Sequence, residues 1–575
     1  MTGQPELAHE MVNDIPVLMH VIKERLGLMM ALDSVVKRHG NRLGMSVGEV
    51  MGTWLTHILS AHNHFMSHVQ EWARELPNTL GLLLGHAVLD GDLADDRLAE
   101  VLDEMSVDSA WHSVERATNQ NMIRAYKLKV ERVRLDSTTV SVYSDEPDAV
   151  LFQRGYSKDH RPDLRQFKVM AAALDPLGVL VGVDVVSGER ADDGLYVPMI
   201  ERLRTDLGAS GIMYVGDSKM SALKTRAHIQ RTNNTYLVPL AGVGEVPKQM
   251  AEWIGAAQDG RAKTMALQSA PDAKGKPGAL IGQAYELIRE VSEDQSKPGW
   301  NERVMIVQSE AFAEAARKGL RGRIDRTKTE IQALSAAPGS GRRIYSDPTE
   351  LEAAALALAE KHDVVAHVSW EIRRCRGNPK RKRAYGTRPA YVEYDLWLEI
   401  DVQTNAAAIA QAEYFLGWRA YVSNASEAEL SLEQAVLTYR DEWLIERDFA
   451  RIKGRVLSIA PLWLKLEHRA LGMARLLTLG VRVLALIEHE ARLKLKEEQM
   501  AITGLYKSRK NRATDIPTTE RMLIALGKII LTTIRIGDQV HRHISSLSPT
   551  QLRIVDLAGC PPDTYQRLLA NLDFS

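Results

Sequence analysis

Apolar positions recur every three or four residues through roughly the first 125 residues, which is the spacing of amphipathic helices. Long periodic segments cover residues 17–40 and 46–75, and the second opens with Ser46 three residues before Glu49, a capping-box pattern. Further helices are expected before residue 128. The pattern predicts an all-helical N-terminal domain over residues 1–128.

The period then changes from helical to alternating. Residues 130–143, VERVRLDSTTVSVY, are rich in β-branched residues and alternate around Asp136. The order β-β-β-α-β-α-β predicts an α/β fold with a mixed sheet, an antiparallel start and helical crossovers. After the first strand, the predicted elements cover residues 167–174, 179–186, 196–207, 212–215, 221–232 and 235–240.

Residues 241–430 interrupt this fold with further predicted strands and a basic helix, so they form a mostly β insertion domain. A helix over residues 438–454 then returns the chain to the sheet. The α/β core is therefore predicted to comprise residues 129–240 together with 431–495. A helical C-terminal tail, residues 496–575, completes the chain.

The most apolar stretch near the C-terminus, residues 470–487, carries Arg475 and Arg482. These charges favour a buried or partner-facing helix over a membrane span. The N-terminus has acids where a signal peptide needs a basic region and an apolar run. The two cysteines, Cys375 and Cys560, cannot form a zinc cluster or a disulfide framework. We therefore expect a cytoplasmic protein without a membrane partner.

The chain has 45% hydrophobic and 26% charged residues and a net charge of −1, as expected of an ordinary globular protein. The charge is unevenly distributed. Residues 1–125 contain 9 Lys/Arg against 17 Asp/Glu, whereas residues 447–575 contain 21 against 12. The C-terminal end is therefore the better candidate for contact with phosphate.

Three acidic residues occupy positions that are typical of ligand-binding or catalytic sites. Asp136 lies within a predicted strand, and Asp217 ends an apolar strand, where open α/β sheets place ligand sites. On the helix of residues 438–454, Tyr439, Glu446 and Lys453 recur every seven residues and share one line. Oxygen ligands without histidine or cysteine favour Mg²⁺ or Mn²⁺ over zinc, and two such ions can drive phosphodiester displacement.

Four segments together resemble a DDE transposase of a bacterial insertion sequence, with a ribonuclease-H-like core interrupted by a large β insertion. They are the strand LDSTTV, the segment GYSKDHRPD at residues 155–163, the strand end YVGDSKM and the helix of residues 438–454. The resemblance implies that Asp136, Asp217 and Glu446 are the catalytic residues and hold two Mg²⁺ or Mn²⁺ ions. It also implies that Tyr439 and Lys453 contact DNA phosphates beside the cut.

The family helix commonly has an arginine three residues after the tyrosine, and here that position is Glu442. Arg440 or Arg447 would have to replace the lost phosphate contact. Glu442 is also an alternative metal ligand, although the spacing to Lys453 favours Glu446.

Two other segments are predicted to touch DNA. Lys158, His160 and Arg161 would position it near Asp136, the alternative being a surface turn in which Asp159 and Arg161 pair. The basic run of residues 373–383 would contact the backbone, the alternative being a solvated hairpin tip. In that run the expected contacts are Lys380, Arg381, Lys382 and Arg383. Trp370 and Trp443 could stack on an unpaired base, but core packing is favoured for both.

The predicted function is a transposase that binds the inverted-repeat ends of its element, cleaves them and joins the 3′ ends to target DNA, with a hairpin intermediate as an option. Its partners would be double-stranded DNA and a second copy of the chain, with residues 1–128 serving dimerisation or end binding, in the bacterial nucleoid. The alternatives are a metal-dependent nuclease without strand transfer and a catalytically silent DNA-binding protein. A two-carboxylate glycosidase is disfavoured by the low aromatic content, 6%.

Overall fold

The computed structural model describes residues 6–36, 43–144, 146–270, 277–294, 296–336, 341, 343–506, 511–537 and 539–570. The chain forms two compact units. The first comprises Met1–Val238, Ser292–Gly299 and Thr438–Ser575, and the second comprises Pro239–Val291 and Trp300–Leu437. The predicted insertion, residues 241–430, lies in the second unit apart from Ser292–Gly299. The finer division of the first unit into N-terminal, core and tail domains stays a prediction.

The N-terminal region is mainly helical, as predicted, but its long periodic segments are broken. Gly27 and His62 adopt left-handed backbone conformations, with φ of 62° and 54°. Gly27 precedes the helix Leu28–Asp33, and His62 ends the helix Val47–Ala61. Ser46 and Glu49 form the expected capping box. The elements are β1 (Glu6–Met11), α1 (Ile15–Met19), a π-helical turn (His20–Arg25), α2 (Leu28–Asp33), α3 (Val47–Ala61), α4 (Val69–Arg74), α5 (Pro77–Leu84), α6 (Asp95–Ser106) and α7 (Asp108–Tyr126).

The sheet of the first unit confirms the predicted α/β class. Its strands lie in the order β4-β3-β2-β5-β6. The first three pair antiparallel, and β5 pairs parallel with β2 and with β6. The elements are β2 (Arg132–Val142), β3 (Arg165–Leu174), β4 (Val179–Ser187), α8 (Tyr196–Leu207), β5 (Met213–Gly216), α9 (Leu223–Arg231) and β6 (Thr235–Pro239).

The second unit contains long helices as well as strands, so the prediction of a mostly β insertion was incomplete. Helices α11 and α12 and the paired strands β10 and β11 share a buried core that includes Leu320, Leu351 and Ile400. The elements are α10 (Val246–Gln258), β7 (Met265–Gln268), β8 (Leu280–Val291), β9 (Trp300–Ser309), α11 (Glu310–Gln332), α12 (Pro348–Lys361), β10 (Val368–Lys382), β11 (Tyr391–Thr404), α13 (Ala406–Phe415) and β12 (Trp418–Ser423).

The last part of the chain is organised around one long helix. It comprises α14 (Leu432–Arg440), α15 (Trp443–Lys453), α16 (Glu467–Glu497), α17 (Thr519–Ala525), β13 (Ile530–Ile536), β14 (Gln539–Ile544) and α18 (Pro549–Leu557). Helix α16 packs against α6, α3 and β4, which confirms the expected buried helix. By length and composition it could cross a membrane, but 94% of its apolar window is buried inside the fold. Within it, Arg482 pairs with the equally buried Glu115 of α7.

The prediction of entirely helical N-terminal and C-terminal regions was wrong in one respect. Strand β1 pairs antiparallel with β13, and β13 pairs antiparallel with β14. The paired residues of β1 and β13 lie more than 500 residues apart in the chain, with Glu6 opposite Arg535. Since a short strand is stabilised by its neighbours, local periodicity near either end of the chain could not establish this sheet.

Candidate active site

Asp136 and Asp217 lie side by side in the sheet of the first unit. Strand β2 pairs parallel with β5, and the register sets Leu135 opposite Gly216. The next residue is Asp136 on β2 and, directly after the end of β5, Asp217, so the two aspartates occupy neighbouring positions. The strand that carries Asp136 and the strand that ends before Asp217 are therefore neighbours in the sheet.

The Asp136 carboxylate is 20% exposed and carries an energetic penalty when ionised. Burial raises the pKa of Asp136 to about 6, and the charges of Asp217 and Glu442 add to the rise, against the opposing effect of Lys158. The Lys158 ammonium lies 3.5 Å from Asp136 Oδ1 and donates to Ser137 O at 2.6 Å. Lys158 therefore offsets only part of the cost of ionising the Asp136 carboxylate in this partly buried position.

Hydrogen bonds hold the Asp217 carboxylate in place. The Tyr196 hydroxyl donates to Asp217 Oδ1 at 2.6 Å, and the backbone N–H of Lys219 donates to the same oxygen at 2.9 Å. Burial and the charge of Asp217 raise the pKa of Tyr196, so its hydroxyl keeps the proton that it donates. Both donors fix the orientation of the carboxylate.

Asp192 and Lys168 were not predicted from the sequence, yet they border the same site. Asp192 Oδ1 accepts hydrogen bonds from Lys168 Nζ at 2.6 Å and from Ser137 Oγ at 3.0 Å. Burial raises the pKa of Asp192, but the bond from Lys168 and the charge of Lys158 outweigh it and hold the pKa below its usual value. In the sequence, Asp192 stands just before a helix, where acidic residues are common. No local feature therefore marked it as a residue of the site.

Buried ion pairs and hydrogen bonds clamp α14 and α15 against the sheet. Arg134, two residues before Asp136, donates to the carbonyl of Thr438 at 2.6 Å and pairs with Asp175 at 2.7 Å. Arg447 pairs with Glu488 of α16 at 2.6 Å. Helix α15 therefore packs along β2.

The direction of α15 decides which of its residues lie near Asp136. Lys453 forms an ion pair with Asp159, which also accepts from Ser141 Oγ at 3.4 Å. The eleven residue steps from Glu442 to Lys453 rise about 16 Å along a helix, and the five steps from Asp136 to Ser141 span about 16 Å of strand. The N-terminal end of α15 is therefore level with Asp136.

Glu442, at the start of α15, is the glutamate whose charge acts on Asp136. Glu446 is exposed one turn further along the helix. Across the part of the chain that the structure describes, no three or more His, Cys, Asp or Glu side chains come close enough to hold a metal ion. Of the predicted ligand set, the strand register brings Asp136 and Asp217 together.

The residues expected to contact phosphate differ in accessibility. Tyr439 is only 8% exposed. Arg447 is occupied by Glu488 and by the carbonyl of Leu177. Arg440 and His160 are exposed.

The segment of residues 155–163 is bound to the strand that carries Asp136. The backbone N–H of Lys158 donates to Thr139 Oγ1 at 3.0 Å. Arg161 pairs with Asp163 at 2.7 Å rather than with Asp159. The alternative of an Asp159–Arg161 pair is therefore wrong, and Asp159 instead joins this segment to α15.

In the second unit, the basic run lies on the β10–β11 hairpin. The two strands pair antiparallel, and acids on β11 face bases on β10: Lys380 pairs with Asp395, and Lys382 pairs with Glu393 at 3.2 Å. Arg381 and Arg383 are exposed. The basic run itself contains no acid, so only the strand pairing shows that acids of β11 partly neutralise its positive charge.

A cleft of about 470 Å³ opens beside the two aspartates, lined among others by Lys158, Lys168, Asp192, Asp217 and Lys219. The carboxylates of this cleft can bind cations and its ammonium groups can bind phosphate, so the cleft suits a phosphate group that binds together with cations.

Comparison with known proteins agrees with this geometry. Residues 131–478 match the family described as transposase DDE domain. No curated protein sequence is significantly similar to the chain. A cryo-EM structure of a piggyBac transposase synaptic complex with hairpin DNA aligns with 89% of this chain and 78% of that chain, at 7% identity and a TM-score of 0.33. A likeness this weak carries no argument. The family match covers more than half of the 575 residues and includes the strands of Asp136 and Asp217 as well as α15, and the chain therefore belongs to the transposase DDE domain family.

Proposed function

We propose that the protein binds the inverted-repeat ends of an insertion sequence, cleaves them, and joins the freed 3′ ends to target DNA. The observation that carries this proposal is the register that sets Asp136 beside Asp217, next to a cleft lined by both carboxylates and ammonium groups. Family membership supports the same reaction class. A hairpin at the element end, a homodimer on DNA and a location on the bacterial nucleoid in the cytoplasm belong to the same proposal.

The two aspartates fit a hard divalent ion such as Mg²⁺ or Mn²⁺. Their ligand atoms are oxygens, and a bound cation would lower the cost of ionising the Asp136 carboxylate, whose pKa is raised mainly by burial. Glu446 is the third ligand in this proposal, and Glu442 is its alternative. When bound, two ions would supply an activated nucleophile and stabilise the leaving oxygen of the phosphodiester.

The residues of the chain prepare the site for this chemistry. Tyr196 and the N–H of Lys219 orient Asp217, and the N–H of Ser137 donates to Asp136 Oδ1 at 2.7 Å. Lys158 supplies a compensating positive charge in contact with Asp136. Because these donors are in place before DNA binds, little reorganisation accompanies the reaction.

DNA contacts are proposed on both units. On the first, Lys453, Lys158, His160, Arg161, Arg440, Arg447 and Tyr439 are assigned to the strand beside the cut. On the second, Arg381 and Arg383 are the exposed bases of the hairpin, whereas Lys380 and Lys382 would exchange their acidic partners for phosphate. Arg381→Ala with Arg383→Ala should weaken binding of random-sequence duplexes and reduce the salt slope by about two units. An unchanged slope in a binding titration would remove the hairpin from the interface.

The decisive experiment supplies the purified protein with duplexes carrying the terminal repeats that flank its coding sequence, a plasmid target and Mg²⁺. Joined products are expected from the wild type. Cleavage without joining would favour the nuclease alternative, and binding without cleavage would favour the silent DNA-binding protein.

The two glutamates are separated in the same assay. Glu446→Gln should abolish cleavage while retaining DNA binding, and Glu442→Gln should leave cleavage largely intact. The reverse result would transfer the role of third ligand to Glu442. Mass measurement of the protein with and without end DNA tests the dimer.

A further inference from the structure

Two aromatic rings form an exposed stacked pair at the end of the strand that carries Asp136. Trp463 is 65% exposed and Tyr143 is 40% exposed. Their ring centroids lie 4.6 Å apart at an interplanar angle of 24°. The free energy gained by burying an aromatic ring of this size is several times the thermal energy. A stacked pair that faces solvent can therefore bind another flat ring on its open face.

The backbone holds this pair firmly. Tyr143 directly follows β2, and its N–H donates to Leu462 O at 3.3 Å. Leu462 in turn donates its N–H to Ser141 O at 3.1 Å. The segment that carries Trp463 is therefore attached to the end of β2 as a short parallel bridge, which fixes the position of both rings.

The two tryptophans that the sequence suggested for base stacking are placed differently. Trp370 packs against the buried core of the second unit, as favoured. Trp443 is 48% exposed, contrary to the expectation of core packing, and lies beside the guanidinium of Arg447 at 5.4 Å. Trp463 differs from both because its exposed ring is already stacked on another aromatic ring.

Basic side chains follow β2 from the carboxylates to the aromatic pair. Lys158 binds at Ser137, and the Lys453–Asp159 pair lies at Ser141. The Arg161 guanidinium lies at the far end, because it hydrogen-bonds to Asp163 and to Tyr143. From Asp136 to Tyr143 the strand extends about 23 Å. That distance corresponds to about six or seven nucleotide steps of a DNA strand.

We propose that the outer face of the Tyr143–Trp463 pair binds an unpaired nucleobase of the DNA strand whose backbone follows the basic groups along β2. This inference rests on the proposed DNA-cleaving function. Inside a duplex both faces of a base are covered by its neighbours, so the pair selects a frayed or flipped base. Stacking is independent of base identity, because each base presents a π face.

Binding is tested with fluorescence anisotropy in the absence of divalent ions, so that no DNA is cut. The probes are a fully paired duplex and the same duplex with a five-nucleotide thymidine tail. Trp463→Ala should reduce the extra affinity for the tailed probe by about 5- to 150-fold and leave duplex binding unchanged. Trp463→Phe should retain most of the extra affinity, because it keeps an aromatic ring at the same position.

Equal losses on both probes, or no loss on the tailed probe, would overturn the proposal. A change in oligomeric mass with unaltered DNA binding would also overturn it and assign the pair to a protein contact. The outcome is separable from that of the proposed function. If Trp463→Ala loses the extra affinity for the tailed probe but the wild type neither cuts nor joins DNA, the stacking site stands and the proposed transposase function fails. If the wild type joins DNA but Trp463→Ala binds the tailed probe normally, the transposase function stands and the stacking site fails.

Discussion

Replacing Asp136 by asparagine should remove DNA cleavage and, at neutral pH, make the first unit more stable. The carboxylate is held next to Asp217 and largely out of water, and its pKa is raised from 3.8 to about 6. The folded state therefore binds the Asp136 proton more tightly than the unfolded state does. The penalty for ionisation is absent below about pH 4, grows between pH 4 and 6, and is complete above pH 6.

The size of the effect follows from the shift. A rise of about two units corresponds to about 3 kcal/mol at 1.36 kcal/mol per unit. The first unit has roughly 380 residues. With an unfolding entropy of about 2.1 cal/mol/K per residue, such a gain raises its melting temperature by about 4 °C. The amide keeps the shape of the side chain, so little packing is lost.

The assay is thermal unfolding of wild type and Asp136→Asn in EDTA at pH 4, 6 and 8. The stabilisation of the variant should appear between pH 4 and 6 and remain constant above. Adding Mg²⁺ at pH 8 should stabilise the wild type and leave the variant unchanged, because ligand binding adds stability only where the site exists. Asp193→Asn, at an exposed neighbouring acid, controls for the change in net charge.

A variant less stable than the wild type at pH 8, or a difference that does not vary with pH, would refute the electrostatic argument. Normal cleavage by Asp136→Asn would remove this residue from the site altogether.

Two other predictions test the surroundings of the site. Lys453→Ala should weaken duplex binding and lower its salt slope by about one unit, whereas Asp159→Asn, which releases the Lys453 ammonium from its ion pair, should strengthen binding in the same titration. Gly472→Ala should destabilise the first unit by about 3 kcal/mol or more, because the added Cβ would lie 2.2 Å from a backbone oxygen of α6. Gly480→Ala on the same helix, with 3.3 Å to the nearest atom, should be nearly neutral in a denaturant titration.

Local order was largely predictable from periodicity. The helix of residues 196–207 and the strand pattern around Asp136 follow from side chains that face alternately core and solvent, and the structure has both. The capping box at Ser46 is likewise a local contact between residues three apart. The ends of helices within a periodic segment were harder to predict. The helix that ends at His62 does so through a left-handed backbone conformation, which residues other than glycine seldom adopt.

The sequence by itself determined the α/β class, the order of elements around the two aspartates, and the family resemblance carried by four separate segments. Only the tertiary structure decided that Leu135 stands opposite Gly216, that Asp192 and Tyr196 border the site, and that Lys453 meets Asp159. It also decided that β1 pairs with β13. The reason is physical: hydrophobic periodicity records which way each side chain faces, whereas charge compensation and strand pairing depend on partners tens to hundreds of residues away in the chain.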